Sequence, residues 1–372
     1  MKFYKRTQTR KINIGGVEIG GGAPIAVQSM TNTDTRDWRA TVKQIKNLED
    51  AGCEIIRVSL PDMESAQNVS KIKKNIKIPL VADIHFDYRI ALEAIKQGVD
   101  KLRINPGNIG SKDKVETLVK EAKAARIPIR IGVNAGSLKS VHNFDDNLSR
   151  AKELAKAAME HVKILEKNKF YDIAVSLKAS NIATTVEAYK IFASKRNYPL
   201  HLGITEAGSL FSGTIKSSAG LGIMLYDGIG DTIRVSLTAN PVEEVKAAYS
   251  LLQSMELRNA GVEIISCPTC SRCEVDLIKI VSEMEKETAK LSAKLPLLKN
   301  KVKPVKIALM GCAVNGPGEA KDADFGIAGG KNAGILFENG KIIGRVKPEN
   351  WVKTLISMIK RKSSKLKVQS SN

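Results

Sequence analysis

Short apolar, β-branched runs recur through the first two-thirds of the chain, and most are followed by a stretch whose apolar residues fall three and four apart. The runs occupy residues 24–27, 54–58, 78–83, 101–105, 127–133, 172–177, 200–204 and 232–237. Between them, residues 38–51, 88–98, 112–125, 147–167 and 241–253 show the spacing of a helix with one buried face. Strands that alternate with helices are joined by crossovers, which makes the strands parallel. Eight such units predict a closed TIM-like (β/α)8 barrel, with an open doubly wound sheet as the runner-up on the same pattern.

The periodicity stops near Leu257. Beyond it the pattern changes to a cysteine-rich loop at 266–273, a charged helix at 274–291, a strand at 305–310, three short strand-like runs and a final helix. This predicts a barrel over residues 1–257 and a smaller α/β domain over 258–360. The polar, basic segment 361–372 is expected to be a disordered tail.

Composition fits a two-domain globular chain. The chain has 372 residues, 43% of them hydrophobic and 26% charged, enough to bury a sizeable core. No apolar run approaches the roughly 20 residues of a membrane span. Basic residues near Met1 lack an apolar stretch behind them, so a cytoplasmic protein is expected. Net charge is +20, which admits a nucleic-acid partner. The lysines are scattered, however, with few aromatics between them to stack bases, as expected of solvated helix faces.

In a barrel of this kind the chemistry lies at the C-terminal ends of the strands. There the sequence places Arg57, then Asp83 and His85, then Arg103 and Asn105, then Arg130 and Asn134. Ser176 and Lys178 end the sixth run, Glu206 follows the seventh, and Arg234 and Ser236 lie in the eighth. Cations from five strands would converge on one mouth, which calls for a small, highly anionic ligand such as a diphosphate, because arginine forks match phosphate oxygens. Alternatively, each arginine is separately paired with a carboxylate. Glu206 is a candidate general acid or base, or a partner to one of those arginines.

Five cysteines occur, and Cys267, Cys270, Cys273 and Cys312 lie in the last third. Without a secretion signal, clustered cysteines read as metal ligands. Their spacing admits zinc held by four thiolates, as in a basic nucleic-acid-binding barrel with a structural four-cysteine zinc site, or an iron–sulfur cluster. Cys53 is isolated in an apolar context and reads as a core residue.

Taken together, these segments resemble the 4-hydroxy-3-methylbut-2-enyl diphosphate synthase family over nearly the whole chain. The most specific matches are residues 82–86, 102–108, 130–134, 176–180, 203–208 and 231–238, with 266–270 and 311–319 the most telling. The resemblance implies a barrel joined to a ferredoxin-like domain whose [4Fe–4S] cluster is held by Cys267, Cys270, Cys312 and Glu319. Cys273 stands where the family does not usually place a ligand, and a glutamate oxygen, unlike a fourth thiolate, can leave and open one iron to substrate. The implied reaction is the reductive ring opening of 2-C-methyl-D-erythritol 2,4-cyclodiphosphate to the open-chain hydroxymethylbutenyl diphosphate and water, a step of the methylerythritol phosphate route to isoprenoids. Arg57, Arg103, Arg130, Lys178 and Arg234 would hold the diphosphate, with Asp83 beside them at the strand ends. His85, Asn105, Asn134 and Ser236 would add hydrogen bonds, and Glu206 would donate a proton to the departing hydroxyl. A flavodoxin or ferredoxin donor and a homodimer are also implied, with neither nucleic acid nor membrane as a partner.

Overall fold

The computed structural model describes residues 6–84, 86–105, 111–138, 144–258, 261–294, 305–313, 318, 321–330 and 332–369. The chain opens with a hairpin that the periodicity did not predict. Strand β1 (Ile12–Ile14) pairs antiparallel with β2 (Val17–Ile19) across Gly15-Gly16, both at positive φ as a type I′ turn requires.

The apolar runs then form parallel strands β3 (Ala26–Met30), β4 (Ile55–Ser59), β5 (Leu80–Asp83) and β6 (Lys101–Ile104). They continue as β7 (Ile129–Asn134), β8 (Ile173–Lys178), β9 (His201–Leu202) and β10 (Thr232–Ile233). The crossovers contain α1 (Trp38–Asp50), the short pair α2 (Met63–Gln67) and α3 (Val69–Lys73), α4 (Tyr88–Lys96) and α5 (Lys112–Ala124). After these come α6 (Asn147–Lys167), α7 (Ile182–Ala193), α8 (Leu210–Tyr226) and α9 (Pro241–Ser254). Asp37, Asp87, Asp146, Asn181 and Asn240 cap five of these helices, each side chain accepting a backbone N–H of the first turn.

Strand order is β8-β7-β6-β5-β4-β3-β10-β9, and a parallel bridge between Val175 and Leu200 links the two ends. The ring therefore closes, and the open-sheet alternative fails. Strands β5, β6 and β8 are buried along their whole length, as expected for strands covered outside by helices and inside by one another.

Register and two-residue alternation sort the inward side chains into layers of four from alternate strands. The floor layer is Ile55, Lys101, Ala174 and Thr232. Above it come Gln28, Val81, Arg130 and His201, then Arg57, Arg103, Ser176 and Arg234. Met30, Asp83, Gly132 and Gly203 form the mouth. Below the floor, Ile12, Ile14 and Ile19 of the hairpin pack on Ala26, Ile55, Val81 and Ala174 and plug the N-terminal end. An ordinary barrel fills such layers with branched aliphatics; here the two middle layers are largely polar, and the mouth adds Asp83.

From Arg258 onward the chain forms a second unit. It contains β11 (Val262–Ser266), α10 (Leu277–Lys294), β12 (Val305–Met310), β13 (Phe325–Ala328), β14 (Gly334–Glu338), β15 (Lys341–Val346) and α11 (Trp351–Gln369). The five strands lie in sequence order, β11 to β13 parallel and β13 to β15 antiparallel. Leu277, Ile280 and Met284 of α10 and Trp351, Leu355 and Ile359 of α11 share a core with Ile307, Leu309, Phe325 and Ile327.

The expected disordered tail from residue 361 is instead helical as far as Gln369. No Gly or Pro interrupts α11, Arg361 pairs with Glu338 at 2.9 Å, and Lys362 pairs with Asp324. Among the described residues no helix is long and apolar enough to cross a membrane.

Candidate active site and cysteine loops

The barrel interior collects the cations that the strand ends predicted. Arg103 Nη1 donates to Asp83 Oδ1 at 2.9 Å, and Arg57 Nε lies 3.5 Å from Asp83 Oδ2, so one buried carboxylate serves two guanidinium groups. Arg234 instead finds Glu244 on α9, with Nη2 to Oε1 at 3.1 Å and Nε to Oε2 at 3.2 Å. Glu244 also accepts from Ser29 Oγ and from the Leu237 backbone, which fixes it beneath the arginine. Separate pairing thus accounts for Arg234 alone, since Arg57 and Arg103 share their acid. Among the described residues no carboxylate lies within ion-pair distance of Arg130 or Lys178.

Two glycines make room for these charges. A Cβ on Gly132 would lie 2.4 Å from Arg103 Nε, and one on Gly203 would lie 2.6 Å from Lys178 Nζ. The guanidinium and the lysine amine each lie across bare backbone, where any side chain would displace them.

Crowding of like charge in a buried space disfavours protonation. Burial, then the Arg130, Arg57, Arg234 and Arg103 charges, hold the Lys178 amine well below its ordinary pKa. Burial, then Arg130 and Arg57, do the same to Lys101. The Arg57 guanidinium is pushed down to about 10 by burial, against an upward pull from Asp83. An anion entering the mouth would relieve all of these at once.

The other expected site residues are distributed around this bowl. Asn105 is buried just past β6, Asn134 ends β7 half-buried, and Ser236 is half-buried after β10. Glu206 stands exposed on the loop after β9, at φ +53°, a left-handed conformation that a glutamate adopts only under constraint. His85 and Glu319 lie outside the described residues. Sequence reasoning missed Glu244, which reads only as an acid in the first turn of a helix, and it missed Lys101 and His201. Lys101 carried a usable signal, because it stands two residues before Arg103 on one strand and so shares its face.

In the second unit the cysteine loops leave the C-terminal ends of two adjacent parallel strands. Ser266 pairs with Leu309, so the loops that carry Cys267 and Cys312 leave adjacent strand ends. Gly311 donates its N–H to Cys267 Sγ at 3.2 Å. Cys270 is exposed, and hydrogen bonding to Arg272 lowers its thiol below the ordinary pKa. Cys273 Sγ donates to the Val275 carbonyl at 3.2 Å. Cys53 is buried in the barrel, and burial pushes its thiol up to about 12, as befits a core residue.

Among the described residues, no three Cys, His, Asp or Glu side chains are grouped to hold a single metal ion. A four-thiolate zinc site would draw Cys267, Cys270, Cys273 and Cys312 around one ion on binding. A cluster distributes its thiolates over several irons and suits thiols on neighbouring loops. The soft sulfur donors, one with an N–H bond already in place, fit such a group.

Comparison with known proteins bears on both units. Residues 9–249 match the GcpE TIM-barrel domain, and residues 263–361 match the GcpE protein C-terminal domain. A protein of Thermodesulfovibrio yellowstonii named 4-hydroxy-3-methylbut-2-en-1-yl diphosphate synthase (flavodoxin) is 56% identical over 361 residues, covering 96% of this chain and 100% of its own. One of the same name from Clostridium acetobutylicum is 54% identical, covering 95% and 99%. Among solved structures, dihydropteroate synthase from Stenotrophomonas maltophilia aligns with a TM-score of 0.51 at 14% identity, covering 67% of this chain and 98% of its own. That likeness concerns the fold alone.

Proposed function

The chain belongs to the GcpE family of 4-hydroxy-3-methylbut-2-en-1-yl diphosphate synthases, and we infer that it performs that reductive step in isoprenoid-precursor synthesis. Its substrate is 2-C-methyl-D-erythritol 2,4-cyclodiphosphate. The ring carbon–oxygen bond to phosphate breaks, a hydroxyl leaves as water, and an electron pair is consumed. The observation that carries this reading is the barrel interior, where Arg57, Arg103, Arg130, Lys178 and Arg234 face Asp83 and Glu244 as their described counter-charges.

In this reading the arginines and Lys178 grip the diphosphate, and Asp83 holds Arg57 and Arg103 at the angle that receives it. Arg130 acts from one layer below, where its charge is least screened by water. Asn105, Asn134 and Ser236 supply hydrogen bonds at the rim, and His85 supplies another to the substrate. Glu206, on its constrained loop, delivers the proton to the departing hydroxyl. Cys267, Cys270 and Cys312, with Glu319 as the exchangeable fourth ligand, would hold a [4Fe–4S] cluster, which when bound supplies electrons one at a time. The N–H of Gly311 on Cys267 Sγ is the kind of contact that tunes a cluster's potential. A flavodoxin is the electron donor, as the relatives' names state for those proteins, and the working form is a homodimer.

Anaerobic reconstitution tests this directly. The protein should bind about four irons and four sulfides per chain, and with dithionite it should convert the cyclic diphosphate to the open-chain product, followed by phosphorus NMR. A fully loaded protein that leaves the cyclic substrate intact would overturn the assignment.

A further inference from the structure

Below the arginines that face the mouth, Lys101, His201 and Gln28, which the reaction does not use, lie with the inner side of Arg130 in two further layers. Lys101 and His201 are 0% exposed, as is Arg130, and Gln28 is 1% exposed. Lys101 Nζ, Arg130 Nε and Nη1, His201 Nε2 and both amide atoms of Gln28 have no hydrogen-bond partner among the described residues. His201 is anchored through Nδ1 to Thr232 Oγ1 at 2.8 Å, which leaves Nε2 as its open atom.

No carboxylate belongs to either layer. Their other members are Ile55, Ala174, Thr232 and Val81, and the hairpin closes the space below with isoleucines. Asp83, the nearest acid in the layers above, is already engaged by Arg57 and Arg103. Among the described residues, the four guanidinium groups of Arg57, Arg103, Arg130 and Arg234 and the amines of Lys101 and Lys178 thus have two carboxylates, Asp83 and Glu244, to share. A buried unpaired donor is costly and a buried unpaired charge more so. Ala174 and Thr232 are small for a barrel floor, a layer that branched aliphatics ordinarily fill.

We propose that these two inner layers form an internal site for one small inorganic anion of the halide class, held between Lys101 Nζ and the Arg130 guanidinium beneath the diphosphate mouth. Gln28 and His201 would complete its shell by donation. The ion neutralises charge where no carboxylate stands and supports Arg130 from below. This site does not depend on the proposed reaction, because its ligand enters and is measured without substrate.

Bromide is the probe. Crystals of the full-length protein grown in bromide should show an anomalous peak within hydrogen-bonding distance of Lys101 Nζ and Arg130, absent from Lys101→Met. In solution, replacing chloride by gluconate at constant ionic strength should lower the native Tm by about 3 °C, the scale expected for a ligand at some tenfold its Kd. The Lys101→Met protein should melt alike in both salts, and Lys101→Gln serves the same purpose if the methionine packs poorly. Equal melting of the native protein in both salts, with no inner peak, would overturn the proposal and leave Lys101 a neutral amine. A peak confined to Arg57, Arg103 and Arg234 and displaced by pyrophosphate would also overturn it, assigning the ion to the mouth.

Discussion

The barrel and the C-terminal unit both present their chemical groups at the C-terminal ends of parallel strands, yet they hold them in opposite ways. Barrel cations are buried, layered and locked by packing, with Asp83 and Glu244 as fixed supports. Three of the four cysteines in the second unit are half-buried and Cys270 is exposed, on loops stitched mainly by backbone contacts. One site stores electrostatic free energy before any ligand arrives. The other offers donors whose final arrangement is completed by what they bind. On the proposed function, charge recognition is built into the folding core, whereas the proposed redox site is separable from it.

The largest expected effect exploits that separability. Cys267→Ala should remove most of the bound iron and reduce turnover by more than about a thousandfold, or roughly 4 kcal/mol. Pyrophosphate affinity of the barrel should stay within about twofold, because Cys267 contributes nothing to its core. Iron analysis alongside calorimetry decides the matter. If pyrophosphate binding collapses together with the iron, the two sites are not separable.

Asp83→Asn attacks the opposite case, a functional group that is also structural. It leaves Arg57 and Arg103 buried beside a neutral amide, and breaking a buried pair in this way costs about 3–5 kcal/mol. Denaturant unfolding should show that loss while iron content is unchanged, and added pyrophosphate should recover part of it by supplying the missing negative charge. A stability within about 0.5 kcal/mol of native would mean that the arginines are not held in place by Asp83.

The same contrast explains what was legible in the sequence. Eight runs of β-branched residues announced the barrel because every parallel strand is buried on both faces and must be apolar somewhere along its length. Polar interruptions in those runs announced the bowl, since a charge in a buried strand needs a reason to be there. Partnerships between the charges were not legible. Glu244 reaches Arg234 from a helix, through three-dimensional closure that spacing does not encode. The β1–β2 hairpin went unread although Gly15-Gly16 between alternating isoleucines and valine is a recognisable turn. Helix α8 was missed because small residues, Gly213, Ser217 and Gly220, face inward while Phe211 and Ile215 are exposed, which inverts the usual amphipathic signal.

The smallest effect concerns protons. In the free barrel, burial and neighbouring guanidinium charges keep the Lys178 pKa low, so above that pKa the amine is neutral. A bound anion favours the ammonium form, so binding above that pKa must draw in a proton. Affinity is therefore highest below the lowered pKa and falls as pH rises through it, by up to about tenfold per pH unit. Pyrophosphate itself ionises as pH changes, but the ratio of native to Lys178→Met affinity at each pH cancels that contribution. The ratio should decline toward unity with rising pH, and calorimetry in buffers of differing ionisation enthalpy should register proton uptake in the native protein that the variant lacks. A ratio that stays constant across the range would mean that Lys178 keeps its charge in the empty barrel. The bowl would then carry its full repulsion at rest, and the difference between a pre-strained barrel and compliant cysteine loops would be sharper still.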